Sequence, residues 1–134
     1  MSETQLKLQA GFIDRVEGNE PISQRMSDGY VNATAMCKAC GKKFNDYSRL
    51  STTEPFIHEL SSVTGIPATE LIQSNSGGIP KLQGTWVHPQ VAIHLGQWLS
   101  PKFAVMVSQW VTEWMTGHVP GKLPYHLRRY MENM

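Results

Sequence analysis

Two prolines in the second half of the sequence constrain the fold more than any other feature. Pro89 follows His88 and Pro101 follows Ser100. Proline suits the first turn of a helix, where its missing N–H would have no intrahelical partner, and serine is a strong N-cap residue. The preceding Gly84-Thr85-Trp86-Val87 is typical of a strand, because it is rich in β-branched and aromatic residues. We therefore predict a short strand followed by two helices, each opened by a capping residue and a proline.

Apolar residues in both predicted helices recur at helical spacing. They are Val87, Val91, Leu95 and Trp98 for the first helix, and Phe103, Val107, Trp110 and Trp114 for the second. Steps of three and four residues place each set on one helix face. The tryptophans follow the period of a buried face, so we interpret them as core anchors rather than stacking platforms.

The composition is that of one globular domain. The chain has 134 residues, of which 40% are hydrophobic and 17% charged, and this length is enough for a sizeable core. No apolar run approaches the roughly 20 residues of a membrane-spanning helix, and the first residues are polar, so we predict neither a membrane span nor a signal peptide. Cys37 and Cys40 are the only cysteines, which favours a reducing intracellular setting over a disulfide-bonded secreted one.

The charges are unevenly distributed, although the formal net charge is only +1. Residues 25–50 and 81–134 each carry a net charge of +3, whereas residues 1–24 carry −2 and residues 51–80 carry −3. Such blocks can focus a positive field on one face of a nearly neutral protein. The alternative interpretation is an ordinary solvated surface.

The first third of the sequence predicts a hairpin followed by a helix–turn–helix. Asp28-Gly29 supplies the positive backbone dihedrals of a tight turn between two strands. Asn32 or Thr34 can then cap a short helix, which Gly41 ends. Residues 42–50 are basic, polar and aromatic, and they predict a turn and a second short helix. Two short helices joined by a glycine-containing turn form a helix–turn–helix-like unit.

The side chains of this unit have the chemistry to bind DNA. Lys42, Lys43 and Arg49 can neutralise phosphates. Asn45 and Arg49 carry hydrogen-bond donors for base edges, and arginine suits guanine in particular. Tyr47 can contact sugar or phosphate, or it can pack. The alternative for the whole set is a solvated polar face without a ligand.

A longer helix is predicted after this unit. Ser51 and Glu54 have the spacing of a capping box at its start. Its predicted apolar face consists of Phe56, Leu60 and Val63. The sequence Gly65-Ile66-Pro67 marks its end, because glycine and proline commonly follow a helix.

A second hairpin is predicted from a strand around residues 70–73, a polar tip at 74–78 and a return strand at 81–87. The Gly77-Gly78 pair at the tip permits close approach of backbone to a ligand. The polar side chains flanking the tip are Gln73, Asn75, Lys81 and Gln83, and all four suit contacts to nucleic acid. A hairpin beside a helix–turn–helix is the winged arrangement. The alternative is an exposed loop without a ligand.

Neither a metal site nor a catalytic site is predicted. Cys37 and Cys40 have the spacing of half a zinc site or of a redox dithiol, but they lie in a helical pattern without a second ligand pair nearby. We favour structural cysteines and keep zinc binding or dithiol chemistry as minor alternatives. The sequence has no Walker loop, dinucleotide glycine fingerprint, nucleophile elbow or His-Glu metalloprotease motif. We therefore expect no enzyme and no cofactor.

Taken together, these motifs resemble the KilA-N domain of phages and large DNA viruses, over roughly residues 22–117. The motifs are Asp28-Gly29-Tyr30-Val31-Asn32-Ala33-Thr34, Cys37-Lys38-Ala39-Cys40-Gly41-Lys42, Arg49-Leu50, Gly84-Thr85-Trp86-Val87-His88-Pro89 and Gln97-Trp98-Leu99-Ser100-Pro101-Lys102-Phe103-Ala104-Val105. The family also resembles the DNA-binding domains of fungal APSES transcription factors. The resemblance implies a DNA surface that includes the helix–turn–helix at residues 38–49, Lys38 among them, and the wing at residues 73–83. Tyr47 stands where relatives often place tryptophan.

We therefore expect an α+β, winged-helix-like domain with two β-hairpins packed with a helix–turn–helix and C-terminal core helices. Residues 1–19 would be an N-terminal extension, 20–117 the KilA-N domain, and 118–134 a linker or the start of a further segment. The expected function is non-catalytic binding of double-stranded DNA, sequence-specific or guided by DNA structure, in a phage or prophage regulatory protein of the bacterial cytoplasm or nucleoid. The alternative is an antirepressor-type module that occupies a repressor rather than DNA. Other phage or host proteins and a second copy of the chain are further candidate partners, and a membrane is not.

Overall fold

The strands of both predicted hairpins belong to one five-stranded antiparallel sheet. The computed structural model describes residues 11–17 and 20–117. The strands are β1 (Phe12–Glu17), β2 (Glu20–Arg25), β3 (Val31–Asn32), β4 (Ile72–Asn75) and β5 (Gly84–Val87). Their order in the sheet is β1-β2-β3-β5-β4. Val31 pairs with Val87 and Asn32 with Trp86, and this pairing joins the β2–β3 hairpin to the β4–β5 hairpin.

Part of the predicted N-terminal extension belongs to the sheet. β1 lies within residues 1–19, the segment expected as an N-terminal extension, and it pairs with β2 from Phe12 opposite Arg25 to Glu17 opposite Glu20. Residues 118–134, expected as a linker or a further segment, lie outside the described residues.

Six α-helices lie in the described part of the chain. They are α1 (Ala33–Ala39), α2 (Phe44–Ser48), α3 (Thr53–Thr64), α4 (Ala68–Leu71), α5 (Pro89–Leu99) and α6 (Pro101–Thr116). Both predicted proline starts are confirmed: His88 Nδ1 accepts a hydrogen bond from an α5 amide at 3.1 Å, and Ser100 Oγ accepts one from an α6 amide at 3.1 Å. Helices combined with an antiparallel sheet confirm the predicted α+β class. None of the described helices is long and apolar enough to cross a lipid bilayer.

The main core draws on every one of these helices and on β2, β3 and β5. Most of the apolar faces predicted for α5 and α6 lies within it, and Trp110 is buried there, whereas Trp98 and Trp114 are only partly buried. The two helices pack closely at Gly96, where a Cβ atom would lie only 3.1 Å from the Phe103 carbonyl oxygen. A smaller cluster contains Phe12, Tyr30 and Trp86. Trp110 is therefore a core anchor, as predicted from its helical spacing, and Trp86 on β5 is buried in the smaller cluster.

The predicted start and apolar face of α3 are wrong in detail. The residue at the N-cap position is Thr52 rather than Ser51, and no side chain caps the helix, so the expected capping box does not form. The buried residues of α3 are Thr53, Ile57 and Leu60, whereas Val63 is 75% exposed. The buried residues thus follow steps of four and three from Thr53. The prediction chose Phe56 and Val63 instead, because threonine is polar and is not expected on a buried helix face.

The second predicted hairpin also begins later in the sequence than predicted. Glu70 and Leu71 belong to α4, and β4 starts at Ile72. The amide of Leu71 donates to the Pro67 carbonyl at 3.2 Å, so the chain completes a helical turn before it enters the sheet. A 3-10 turn, Pro80–Leu82, interrupts the expected return strand before β5.

A buried arginine connects the sheet to α6. Arg15 on β1 is only 6% exposed. Its guanidinium donates to Glu113 Oε1 at 2.8 Å, to Gln24 Oε1 at 2.8 Å and to the Trp110 carbonyl oxygen at 3.1 Å. A buried charge needs such partners, because burial without them is costly. The arginine therefore fixes the β1–β2 hairpin against the last long helix.

Candidate nucleic-acid interface

The predicted helix–turn–helix is formed by α1 and α2. Asn32 caps α1, since its Oδ1 accepts a hydrogen bond from the amide three residues later at 3.1 Å. Thr34 lies inside the helix instead. Gly41 follows the end of α1 with a φ of +66°, a conformation that glycine adopts without strain. The Lys42 amide then donates to the Cys37 carbonyl at 2.9 Å and closes the helix end.

Five of the expected DNA-contacting side chains are exposed on this unit. One of them, Lys42, contacts the end of α5, and the other four are Lys38 in the last turn of α1, Lys43 at the N-cap position of α2, and Asn45 and Arg49 in and after α2. Arg49 pairs with the Asp46 carboxylate, and both side chains are at least half exposed. An ion pair this exposed contributes at most about 1 kcal/mol, so a phosphate can replace Asp46. We call these four residues the basic surface.

Lys42 differs from its neighbour Lys43. Its Nζ donates to the carbonyl oxygens of Trp98 at 3.2 Å and Leu99 at 3.4 Å, which are the last two residues of α5. The same Nζ lies 4.5 Å from the centroid of the Trp98 ring. The side chain that the sequence offered as a phosphate contact is thus bound to the end of a core helix.

Tyr47 packs against aromatic rings of α2 and α5. Its side chain is fully buried, with 0% exposure. Its hydroxyl lies 2.7 Å from His94 Nδ1, and its ring is in contact with those of Phe44 and Trp98. Burial raises the pKa of Tyr47. The Tyr47 side chain is therefore packed in the core, the second of the two roles that the sequence left open for it.

The wing is the β4–β5 hairpin with its connecting residues 76–83. Three predicted contact residues hold its shape through their amide groups. Asn75 Nδ2 donates to the Leu82 carbonyl at 3.0 Å, and Gln83 Nε2 donates to the Gly78 carbonyl at 3.2 Å. Gln73, at the base of the wing, donates to a carbonyl of α4 at 3.1 Å. The wing is therefore ordered by its own polar side chains.

Lys81, the fourth predicted wing residue, is paired with β1. Its Nζ lies 2.7 Å from Asp14 Oδ1 and 5.4 Å from the centroid of the Phe12 ring. The Asp14 carboxylate thus offsets the positive charge that Lys81 gives to the wing. The basic surface and the wing base lie at opposite ends of α1, which has seven residues and is therefore about 10 Å long.

A hydroxyl-lined face of the wing was missed by the sequence reasoning. Ser74 and Thr85 are opposite each other in the β4–β5 register and so share one face. The Thr85 amide donates to Thr34 Oγ1 at 2.9 Å, which joins this face to the start of α1. Ser74, Asn75, Ser76, Gln83, Gly84 and Thr85 line a shallow polar depression there. The sequence signal that could have found this face is the alternation of side chains between the two faces of each strand.

Arg25 was also missed, and it supports the wing base. Its guanidinium donates to the Asp28 carboxylate at 2.7 and 3.0 Å and to Gln73 Oε1 at 3.2 Å, and it lies 4.6 Å from the Tyr30 ring centroid. The ion pair with Asp28, three residues away, was readable from the sequence. The contact with Gln73, which lies 48 residues away, was not.

The cysteine pair has the properties of packed residues. Cys37 is buried, and burial, with a contribution from nearby Cys40, raises the pKa of its thiol to about 11. Thiolate is the form that binds zinc or attacks a disulfide, and this environment disfavours it. Within residues 11–17 and 20–117, no group of three or more His, Cys, Asp or Glu side chains could hold a metal ion.

The fold and the site define a small α+β domain with a helix–turn–helix, the unit by which many proteins dock on duplex DNA. The family model of the KilA-N domain matches residues 14–117, and the chain belongs to this family. KilA-N domains are generally DNA-binding domains of viral proteins. The resemblance drawn from the sequence motifs is confirmed.

The similar curated proteins come from Acanthamoeba polyphaga mimivirus. One KilA-N domain-containing protein of this virus is 40% identical over 110 residues, which are 81% of this chain and 30% of that protein. A second is 32% identical over 115 residues, which are 81% of this chain and 32% of that protein. The chain thus spans about a third of the length of these relatives. No solved structure matches it.

Proposed function

We propose that this chain binds double-stranded DNA without catalysis, as the DNA-binding part of a regulatory protein of a phage or large DNA virus. The observation that carries the proposal is the basic surface: Lys38, Lys43 and Arg49 are exposed together with Asn45 on one helix–turn–helix unit. The cations neutralise phosphates and set the register on the duplex. Asn45 and Arg49 supply the donors that read base edges.

The wing contributes a second, nearly neutral contact. No aspartate or glutamate occurs between residues 71 and 112, so this part of the chain does not repel a polyanion. The hydroxyls of Ser74 and Thr85 and the remaining amide hydrogens of Asn75 and Gln83 bind phosphate or sugar oxygens. Contacts of this kind position a protein on DNA but add little salt dependence, because they release no counterion charge of their own.

The test is fluorescence anisotropy with a labelled random-sequence duplex at low salt. The variant Lys38→Ala/Lys43→Ala/Arg49→Ala should lose at least tenfold in affinity, and the slope of log K against log salt should flatten by about 0.9 for each phosphate contact removed. Related and unrelated duplexes compared in the same assay show whether binding is sequence-specific.

The control changes the net charge equally at a distance from the basic surface. Ser62→Asp/Gln90→Glu/Gln109→Glu replaces three exposed residues of α3, α5 and α6 and also lowers the net charge by three. It should keep the wild-type salt slope. If the wild-type chain has no affinity for the duplex at low salt, or if both triple variants behave alike, the proposal fails.

The antirepressor alternative has one observation in its favour. Val105 and Met115 on α6 are 61% and 72% exposed, and exposed apolar side chains suit contacts between proteins. A chain that binds no DNA but captures a repressor, with loss of capture in Val105→Ser/Met115→Ser, would support this reading. Light scattering on the same samples tests whether a second copy of the chain is the partner.

A further inference from the structure

We propose that Lys42 is a positioning residue that anchors α2 to the end of α5, together with Tyr47, and that neither side chain contacts DNA. This inference rests on the proposed DNA-binding function and assigns two residues of the helix–turn–helix a different role within it. The basic surface, in this view, binds phosphates with Lys43 and Arg49, while the residue beside Lys43 keeps that surface in place.

Lys42 donates hydrogen bonds to the C-terminal ends of two helices. Its backbone amide donates to the Cys37 carbonyl at 2.9 Å and ends α1. Its Nζ donates to the Trp98 and Leu99 carbonyl oxygens at 3.2 and 3.4 Å and ends α5. One residue therefore connects the turn of the helix–turn–helix to the junction between α5 and α6.

Three attractions hold the Lys42 ammonium at this place. The last carbonyls of a helix carry partial negative charge, and two of them accept its hydrogen bonds. The Trp98 ring at 4.5 Å adds a cation–π contact. The two carbonyls take two of the three donors of the ammonium group, so any displacement of Nζ from this place toward a phosphate would break existing contacts.

Tyr47 supplies the second anchor, from α2 itself. Its hydroxyl lies 2.7 Å from His94 Nδ1 on α5, and the His94 ring is stacked on Phe56 of α3 with centroids 4.0 Å apart. The Tyr47 ring also lies 6.0 Å from Trp98, centroid to centroid. Trp98 thus touches both anchors, and α2 is fixed to α5 on two sides.

The anchors matter because α2 cannot hold its own conformation. It has five residues, far fewer than an isolated helix needs to be stable in water. Its tertiary contacts therefore decide where Lys43, Asn45 and Arg49 lie. If the correctly oriented α2 becomes only partly populated, the apparent affinity falls by that fraction, without loss of any phosphate contact.

The test compares single variants by affinity and by salt slope. Lys43→Met should weaken binding and flatten the slope by about 0.9, the signature of one lost phosphate contact. Lys42→Met should weaken binding by about three- to tenfold with the slope unchanged. Tyr47→Phe changes no charge and should resemble Lys42→Met. Lys42→Arg keeps a cation that can donate to the same carbonyls, and it should restore most of the affinity.

Hydrogen exchange of the DNA-free protein gives an independent measurement. Amides of residues 44–49 should exchange about three- to tenfold faster in Lys42→Met and Tyr47→Phe than in the wild type, while those of the central part of α6 stay unchanged. Faster exchange throughout α6 would mean a global loss of stability and would contradict a local anchor. A slope for Lys42→Met that flattens as much as that for Lys43→Met, or an unchanged affinity, overturns the inference. Absence of binding by the wild type would refute the proposed function, and hydrogen exchange would still decide on the anchor.

Discussion

Gly29, in the turn between β2 and β3, is the position where one added methyl group should do the most damage. Its φ is +77°, which side-chain-bearing residues rarely adopt. A Cβ atom there would lie 2.6 Å from Cε3 of Trp114. The Trp114 ring cannot simply move away, because its Nε1 donates to the Met26 carbonyl oxygen at 2.8 Å. The variant Gly29→Ala therefore combines backbone strain with a clash against a fixed ring.

The cost can be separated into two parts. The left-handed backbone costs a non-glycine residue roughly 1–2 kcal/mol. Overpacking against the ring costs roughly 1–3 kcal/mol more, or about 1 kcal/mol if the Trp114 hydrogen bond breaks to relieve the clash. Gly41 is the matched control, since its φ is +66° and a Cβ atom there would meet nothing within 4 Å. Gly41→Ala should thus show the backbone part alone.

Urea denaturation followed by far-UV circular dichroism measures both variants. We expect Gly29→Ala to lower the free energy of unfolding by about 2 kcal/mol more than Gly41→Ala, with m-values equal to that of the wild type. Equal losses for the two variants would refute the close contact between the β2–β3 turn and the end of α6.

Two further perturbations address the core and its pH dependence. Arg15→Ala should lower the free energy of unfolding by about 3–5 kcal/mol in the same denaturation experiment, because it leaves the buried Gln24 without its charged partner and Glu113 without its cation; a loss below about 1 kcal/mol would contradict the network. Burial lowers the pKa of His94, so the unfolded chain binds this proton more tightly than the folded one. The contribution of the neutral His94 side chain to the free energy of unfolding is fully present above about pH 6.5, and it is lost as the pH falls toward the pKa of His94 in the folded protein. The variant His94→Asn, which keeps an acceptor for Tyr47 but does not titrate, should show a smaller loss over that range, and an unchanged pH profile would contradict this assignment.

Much of the local structure could be predicted because its signals lie within a few residues. Pro89 and Pro101 with their capping residues fixed the starts of α5 and α6. Gly41 and Gly65 marked helix ends, and both have the positive φ that such ends require. The Asp28-Gly29 turn was equally local. Short-range steric and hydrogen-bonding preferences are enough to determine these features.

The parts that could not be predicted depend on partners that are distant in the sequence. Lys42 is bound to carbonyls 56 and 57 residues away, and Tyr47 to a histidine 47 residues away. Arg15 and Glu113 are 98 residues apart. A basic residue beside a glycine turn looks the same in the sequence whether it binds a phosphate or a helix end. The sequence therefore located the candidate surface but not the roles of its individual side chains.

The most direct test of the central claim is to map the DNA contact by amide chemical shifts. The ¹⁵N-labelled chain would be titrated with a short duplex at low salt. We predict that the largest shifts fall at Lys38, at residues 43–49 and on the wing around residues 74–78 and 83–85, with little change near Val63 and Met115. Shifts concentrated on the exposed face of α6, or none at any duplex concentration, would contradict a DNA interface on the helix–turn–helix.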